Sequence, residues 1–236
     1  MSLANTFLIL VAGIHLGVST IVLLRNPKDK INSFFALSIL FLSLWVASTS
    51  FFRSVNDHAN AQAWYQFKLI FGLMISWSFQ FFSLFFPYQN KIKFPKLKQI
   101  LLAIPILTGI FIIIFFPRYT INEIVLQPEN NLAFVNKYFW LLYSFGFVVN
   151  FIAAFFRLAL RWIKQEGFLK FQLGSVILSV AIPLGLSLVF NIIFLFFDIF
   201  INDWIGALLT VIFSFLCFYF VFLCANKQGF TNNMEI

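Results

Sequence analysis

Long continuous apolar stretches alternate with short polar breaks from one end of the chain to the other. Continuous runs, rather than residue-by-residue alternation, predict helices and argue against the strands of a membrane β-barrel. A helix needs roughly 20 apolar residues to cross about 30 Å of hydrocarbon. Seven stretches reach about that length, at about 3–24, 31–52, 63–86, 100–116, 136–157, 173–197 and 205–225. The pattern therefore predicts an all-α membrane protein, a bundle of seven transmembrane helices. The connections are expected to be loops, the longest at about 117–135 and 158–172, with no room for an appended soluble domain.

Composition agrees with lipid as the main solvent. The 236 residues are 61% hydrophobic and 10% charged, with a mean hydropathy of +0.94, too little polar surface to cover a soluble globule. The net charge of +8 does not point to nucleic acid, because the basic residues collect in every second break. Arg25, Lys28, Lys30, Lys91, Lys93, Lys96, Lys98, Arg157, Arg161, Lys164, Lys170 and Lys227 fall on one side, and only Arg53, Lys68, Arg118 and Lys137 on the other. By the positive-inside rule the N-terminus is predicted outside and the C-terminus in the cytoplasm. Residues 1–226 then form the bundle, 227–236 a short cytoplasmic tail, and the basic loops lie at the anionic inner leaflet of the bilayer. No basic residue precedes the first span, so it is expected to be retained rather than cleaved as a signal peptide. Cys217 and Cys224 both fall in the last span, which leaves neither a disulfide framework nor a zinc site.

Inside the spans, small and polar residues predict which faces meet other helices. Pro105 and Pro183 interrupt the fourth and sixth spans, Pro183 near the middle, where a proline removes a hydrogen bond and forms a hinge. Ser175, Ser179, Pro183, Ser187 and Asn191 follow at intervals of four, a ridge expected to face protein. Tyr143, Gly146, Asn150, Ala153 and Arg157 predict one polar face on the fifth span. In the first span, Gly13 and Gly17 are expected to pack closely within the bundle, while His15 shares the opposite face with Ala12 and Ser19. Polar groups within a bilayer are costly and are candidates for function. His15 and Asn150 are expected roughly 18–21 Å from the outer boundary, Gln80 about 26 Å, and Asn191 about 9 Å. That scatter favours separate interhelical hydrogen bonds of about 0.6 kcal/mol each. Asn191, beyond the hinge, is the candidate for lining a cavity open to the outside, and Lys68 is expected to snorkel outward.

Enzymatic chemistry finds little support. The two histidines, His15 and His58, cannot supply an HExxH zinc site or a bis-imidazole haem site, and no GxSxG or GxSG stands near His15. The last span has no lysine for a retinal Schiff base. No cofactor or metal is expected. None of the eight acidic residues falls in the middle of a span, which removes most of the support for ion-coupled transport and leaves facilitative transport open.

Asn32, Phe35 and Trp45 in the second span, Gly174, Pro183 and Asn191 in the sixth, and Lys227, Gly229 and Phe230 after the seventh resemble the N-terminal seven-helix sensor region found on many bacterial histidine kinases and some diguanylate cyclases. The resemblance implies a module of a bacterial cell membrane that perceives a small or lipophilic ligand from outside or within the membrane. In that family an output domain follows the exit segment, whereas this sequence ends at Ile236. The expectation is a non-enzymatic sensor that relays its signal to a separate partner, such as a histidine kinase. The alternatives are a small facilitative transporter or permease component, and the remnant of a split kinase.

Overall fold

The computed structural model describes residues 2–87, 96–127, 130–188, 197 and 203–223. They form a helical bundle: α1 (Leu3–Arg25), α2 (Lys30–Ser54), α3 (His58–Phe85), α4 (Lys96–Phe115), the short α5 (Pro117–Thr120), β1 (Ile121–Val125), β2 (Leu132–Val135), α6 (Lys137–Ile163), α7 (Gly167–Leu188) and α8 (Asp203–Phe218), which runs on into a π-helical turn, Tyr219–Leu223. Five helices are long and apolar enough to cross a membrane, at Leu3–Arg25, Lys30–Ser54, His58–Phe85, Lys137–Ile163 and Gly167–Leu186, and Ala103–Phe115 is a shorter apolar helix.

Polar caps fix where several helices begin. Asp29 accepts from the backbone N–H of Ile31 and Asn32, Asp57 from Asn60, and Asn136 from Tyr138 and Phe139. Each satisfies amides that the first helical turn leaves without an intrahelical acceptor. The caps explain why α3 starts before the apolar stretch expected at 63: Asp57 nucleates a turn of polar residues ahead of it. The segment expected as a loop at 158–172 is also mostly helical. α6 continues through Arg157 and Arg161 because a helix need not end where hydrocarbon would, and the turn to α7 is completed by Gly167 at φ 58, a left-handed conformation suited to glycine.

Contacts between helices set their directions. Ser19 donates to Ala36 O, Ser43 to Ala12 O and Ser50 to Asn5 O, so α1 and α2 run antiparallel. Both partners of these bonds step by seven residues, the repeat that keeps one seam facing a neighbouring helix. α2 and α3 are antiparallel too, with Phe52 5.1 Å from Tyr65 and Phe35 5.7 Å from Phe82 between ring centroids. α6 runs parallel to α3, since Tyr143 donates to Leu69 O near one end and Arg157 to Ser83 near the other. α8 likewise runs parallel to α1, through the His15 contact with Thr210 and the Arg25 bond to Phe222 O.

One end of the bundle carries the starts of α1, α3, α6 and α8, and the other carries their ends. At the first end the expected loop at 117–135 holds instead an antiparallel hairpin of β1 and β2, with a register shift between Ile121 and Glu123. Ile121, Ala133 and Val135 pack with Phe52, Tyr65, Ile113, Phe139 and Trp140, so the hairpin closes that end of the core. Asn131 pins it by donating to Phe52 O and Val55 O, carbonyls at the end of α2, and by accepting from Gln127 N. At the basic end the core is made by Val22, Phe35, Phe82, Phe86, Leu158 and Val176. Outside the core, α6 shows Leu141, Phe145, Ile152, Phe156 and Ile163 along its whole length, each 60–67% exposed. A continuous apolar surface of that extent matches a lipid environment.

Candidate functional site

Of the predicted site residues, His15, Asn150 and Pro183 stand on three different helices, α1, α6 and α7. His15 is fully buried, on the same face as Ala12 and Ser19 as expected. Its Nδ1 lies 2.7 Å from Val11 O and its Nε2 3.3 Å from Thr210 Oγ1 on α8. Gly13 and Gly17, on the other face of α1, are exposed, and a Cβ added at either would meet nothing within 4 Å. Among the described residues nothing packs closely on this pair, because the Ser43 and Ser50 seam holds α2 against the opposite face of α1.

Asn150 is half-buried and donates to Gly146 O of its own helix at 2.9 Å, so its amide is satisfied locally rather than across the bundle. The buried line of α6 runs through Tyr143, Phe151, Ala154 and Leu158. The expected polar face of α6 is thus split: Tyr143 belongs to the core, and a Cβ at Gly146 would meet open space. Pro183 is buried within α7, as is Ser179 one turn before it, while Ser175 is half-buried. Ser187 is the penultimate residue of α7. Asn191, the candidate for an outer cavity, lies outside the described residues, as do Lys227, Gly229 and Phe230. Asn32, Phe35 and Trp45 are all buried, and Gly174 lets Trp162 approach, with Nε1 3.1 Å from where a Cβ would stand.

Lys68 does not snorkel outward. It is buried, with its ammonium 6.0 Å from the Trp45 ring centroid and 5.7 Å from that of Tyr65. Aromatic faces stabilise a cation that has been drawn out of water. Arg53 is buried near the hairpin end, where its Nε donates to Asn5 Oδ1 at 3.0 Å.

The basic end shows a different use of charge. Arg157 donates to Gln80 O and to Ser83 Oγ, and Arg161 donates to Ser83 O, Leu84 O and Phe86 O. The carbonyls of Ser83, Leu84 and Phe86 lie at the end of α3, where no intrahelical N–H remains for them, and a cation there also meets the negative end of the helix dipole. The exit of α8 is held in a similar way. Gln172 of α7 donates to Phe220 O and Val221 O, and Arg25 of α1 donates to Phe222 O. All three acceptors lie in the π-helical turn, whose wider hydrogen bonding accompanies functional positions in many helices.

α8 therefore links two places. Its first half touches His15 in the middle of α1, and its last turn is gripped by side chains from α1 and α7. Sequence spacing alone did not single out Thr210, Gln172 or Asn131. The heptad set Asn5, Ala12 and Ser19 against Ala36, Ser43 and Ser50 was present as a signal, in small and hydroxyl residues recurring every seven positions. Among the described residues no group of three or more His, Cys, Asp or Glu side chains could hold a metal ion. No family model and no curated protein matches the sequence.

Proposed function

We propose that the chain is a non-enzymatic membrane sensor: a bundle of seven transmembrane helices with its hairpin end outside, which perceives a signal and passes it to a separate cytoplasmic partner. The observation that carries this reading is the double attachment of α8, to His15 at mid-helix and to Gln172 and Arg25 at its π-helical exit. A shift of α8 relative to α1 in the middle of the bundle reaches the exit through a single rigid element. The exit is poised to respond, because three of its carbonyls are bonded to side chains of neighbouring helices rather than only to its own backbone. The twelve basic residues collected at one side support the orientation. The likeness of Asn32, Phe35, Trp45, Gly174 and Pro183 to the sensor region of bacterial histidine kinases supports a cell-membrane location and a kinase as partner.

The alternative, a facilitative transporter, is separated by reconstitution. Vesicles containing the whole chain and challenged with a panel of small neutral solutes are expected to show no protein-dependent flux. Flux of any solute would overturn the sensor reading. In cells, photo-crosslinking from position 28, three residues after Arg25, is expected to capture a cytoplasmic signalling protein in the wild type and to lose it in Gln172→Ala. Equal capture in both would contradict a relay through the exit.

A further inference from the structure

The contact between His15 and Thr210 can close its hydrogen bonds in two ways. Nδ1 faces Val11 O at 2.7 Å, a pure acceptor, so Nδ1 carries a hydrogen in either state of the ring. Nε2 faces Thr210 Oγ1 at 3.3 Å, and that same oxygen lies 2.5 Å from Ala207 O. A threonine hydroxyl has one hydrogen to give and two lone pairs to receive. With a neutral ring, the hydroxyl donates to Nε2. With a proton on Nε2, the ring donates to Oγ1 and the hydroxyl turns to Ala207 O. Both forms leave every buried donor with an acceptor, and they differ by one proton and one hydroxyl rotation. A histidine placed only to fill space requires one closed arrangement; this one has two.

We propose that His15 and Thr210 form a proton-binding site and that proton binding there is the signal the bundle perceives. The second half of this inference rests on the sensor reading above. The first half stands on the geometry alone.

Most charged and titratable groups on the elements around His15 lie at helix ends; Lys68 is the exception, because the Trp45 ring it stands over packs in one cluster with Val11, Ala12 and Ala207. α1 contributes Arg25 and α2 contributes Asp29, Lys30 and Arg53, all at helix ends, with Arg25 about 15 Å from His15 at 1.5 Å per residue. α8 begins at Asp203, seven residues before Thr210, and carries Cys217 seven residues after it. On α3, Lys68 stands over the Trp45 ring. From α2, Ser43 donates to Ala12 O, three residues before His15. Charging His15 would add a cation to the seam between α1 and α8, drawing the Thr210 hydroxyl toward the first turns of α8. Ser214 donates to Thr210 O and continues the polar line toward the exit.

The test uses the whole chain in lipid nanodiscs with its two histidines labelled with nitrogen-15. His58, exposed at the start of α3, serves as the internal reference. The expected result is a passage of His15 from the neutral to the charged ring as the buffer is acidified. Thr210→Val is expected to lower its midpoint by one unit or more, a tenfold loss of proton affinity, and Thr210→Ser to restore it. A ring that stays neutral down to about pH 4, or a midpoint equal in Thr210→Val and wild type, overturns the proton site. Should Thr210→Val fail to fold, Thr210→Ala supplies the same comparison with a smaller side chain. Spin labels at positions 28 and 203 measure the second half separately. A distance that does not change across the His15 transition overturns proton binding as the signal, even where the site itself titrates.

Discussion

The Tyr143 hydroxyl occupies the space that Gly72 leaves open, and an added Cβ at position 72 would overlap it. That close approach lets Tyr143 cross from α6 to donate to Leu69 O of α3 at 3.1 Å. Gly72→Ala is expected to push the ring away and to destabilise the bundle by about 1–3 kcal/mol, the usual cost of overpacking a core. Tyr143→Phe in the same background removes the overlapping oxygen and is expected to recover part of the loss, read by unfolding in bicelles. Equal stability of Gly72→Ala and wild type would contradict the packing described. Gly13 and Gly17 teach the opposite lesson. Their spacing stands out in the sequence, yet both face open space, whereas Gly72 sits in no motif and is a glycine on which a helix contact depends. A motif records which residues could approach closely; which face is used is decided by the seam of Ser19, Ser43 and Ser50, spread over two helices.

Elements were legible where apolar length decides them and illegible where caps and tertiary contacts do. Six of the seven expected spans overlap helices across nearly their whole described length, and the sixth agrees as far as Leu188. The hairpin was not foreseen, because Ile121–Val125 and Leu132–Val135 are short and depend on Asn131 and on the core beneath them for their place. Asn131→Ala removes both donors to the end of α2, an expected loss of about 1–3 kcal/mol for buried carbonyls left without a partner. Amide exchange should then accelerate in the hairpin and in the last turn of α2, and unchanged protection would show that Asn131 is not the pin. The N-terminus of α3 gives a pH dependence. The N–H of Asn60, then its side-chain amide, holds the Asp57 carboxyl below the usual carboxylate range. A group whose folded pKa is lowered stabilises above its unfolded value and loses that contribution as pH falls through the folded one. Fraying of the first turn of α3 is therefore expected only below about pH 4, seen as faster exchange at Asn60 and absent in Asp57→Asn.

At the scale of the molecule, the parallel and antiparallel contacts sort the helix ends into two groups, as an alternating passage through a bilayer requires. One group is closed by the hairpin and the other is bound together by arginines on helix carbonyls. The sequence carried this division openly, in the segregation of its basic residues, because membrane orientation is set by charge and not by packing. It did not carry the division of labour inside the bundle, where α8 joins His15 to the exit, since that depends on contacts between residues 195 apart. The central claim, a membrane bundle with its hairpin end outside, is tested most directly by labelling single cysteines in intact cells with a membrane-impermeant maleimide. With Cys217 and Cys224 replaced, cysteines at the exposed positions Asn60 and Glu123 are expected to react from outside, and those at Lys28 and Glu166 only after permeabilisation. Reaction of positions 28 and 166 in intact cells, with 60 and 123 protected, would contradict the orientation, and reaction of all four would contradict the membrane bundle itself.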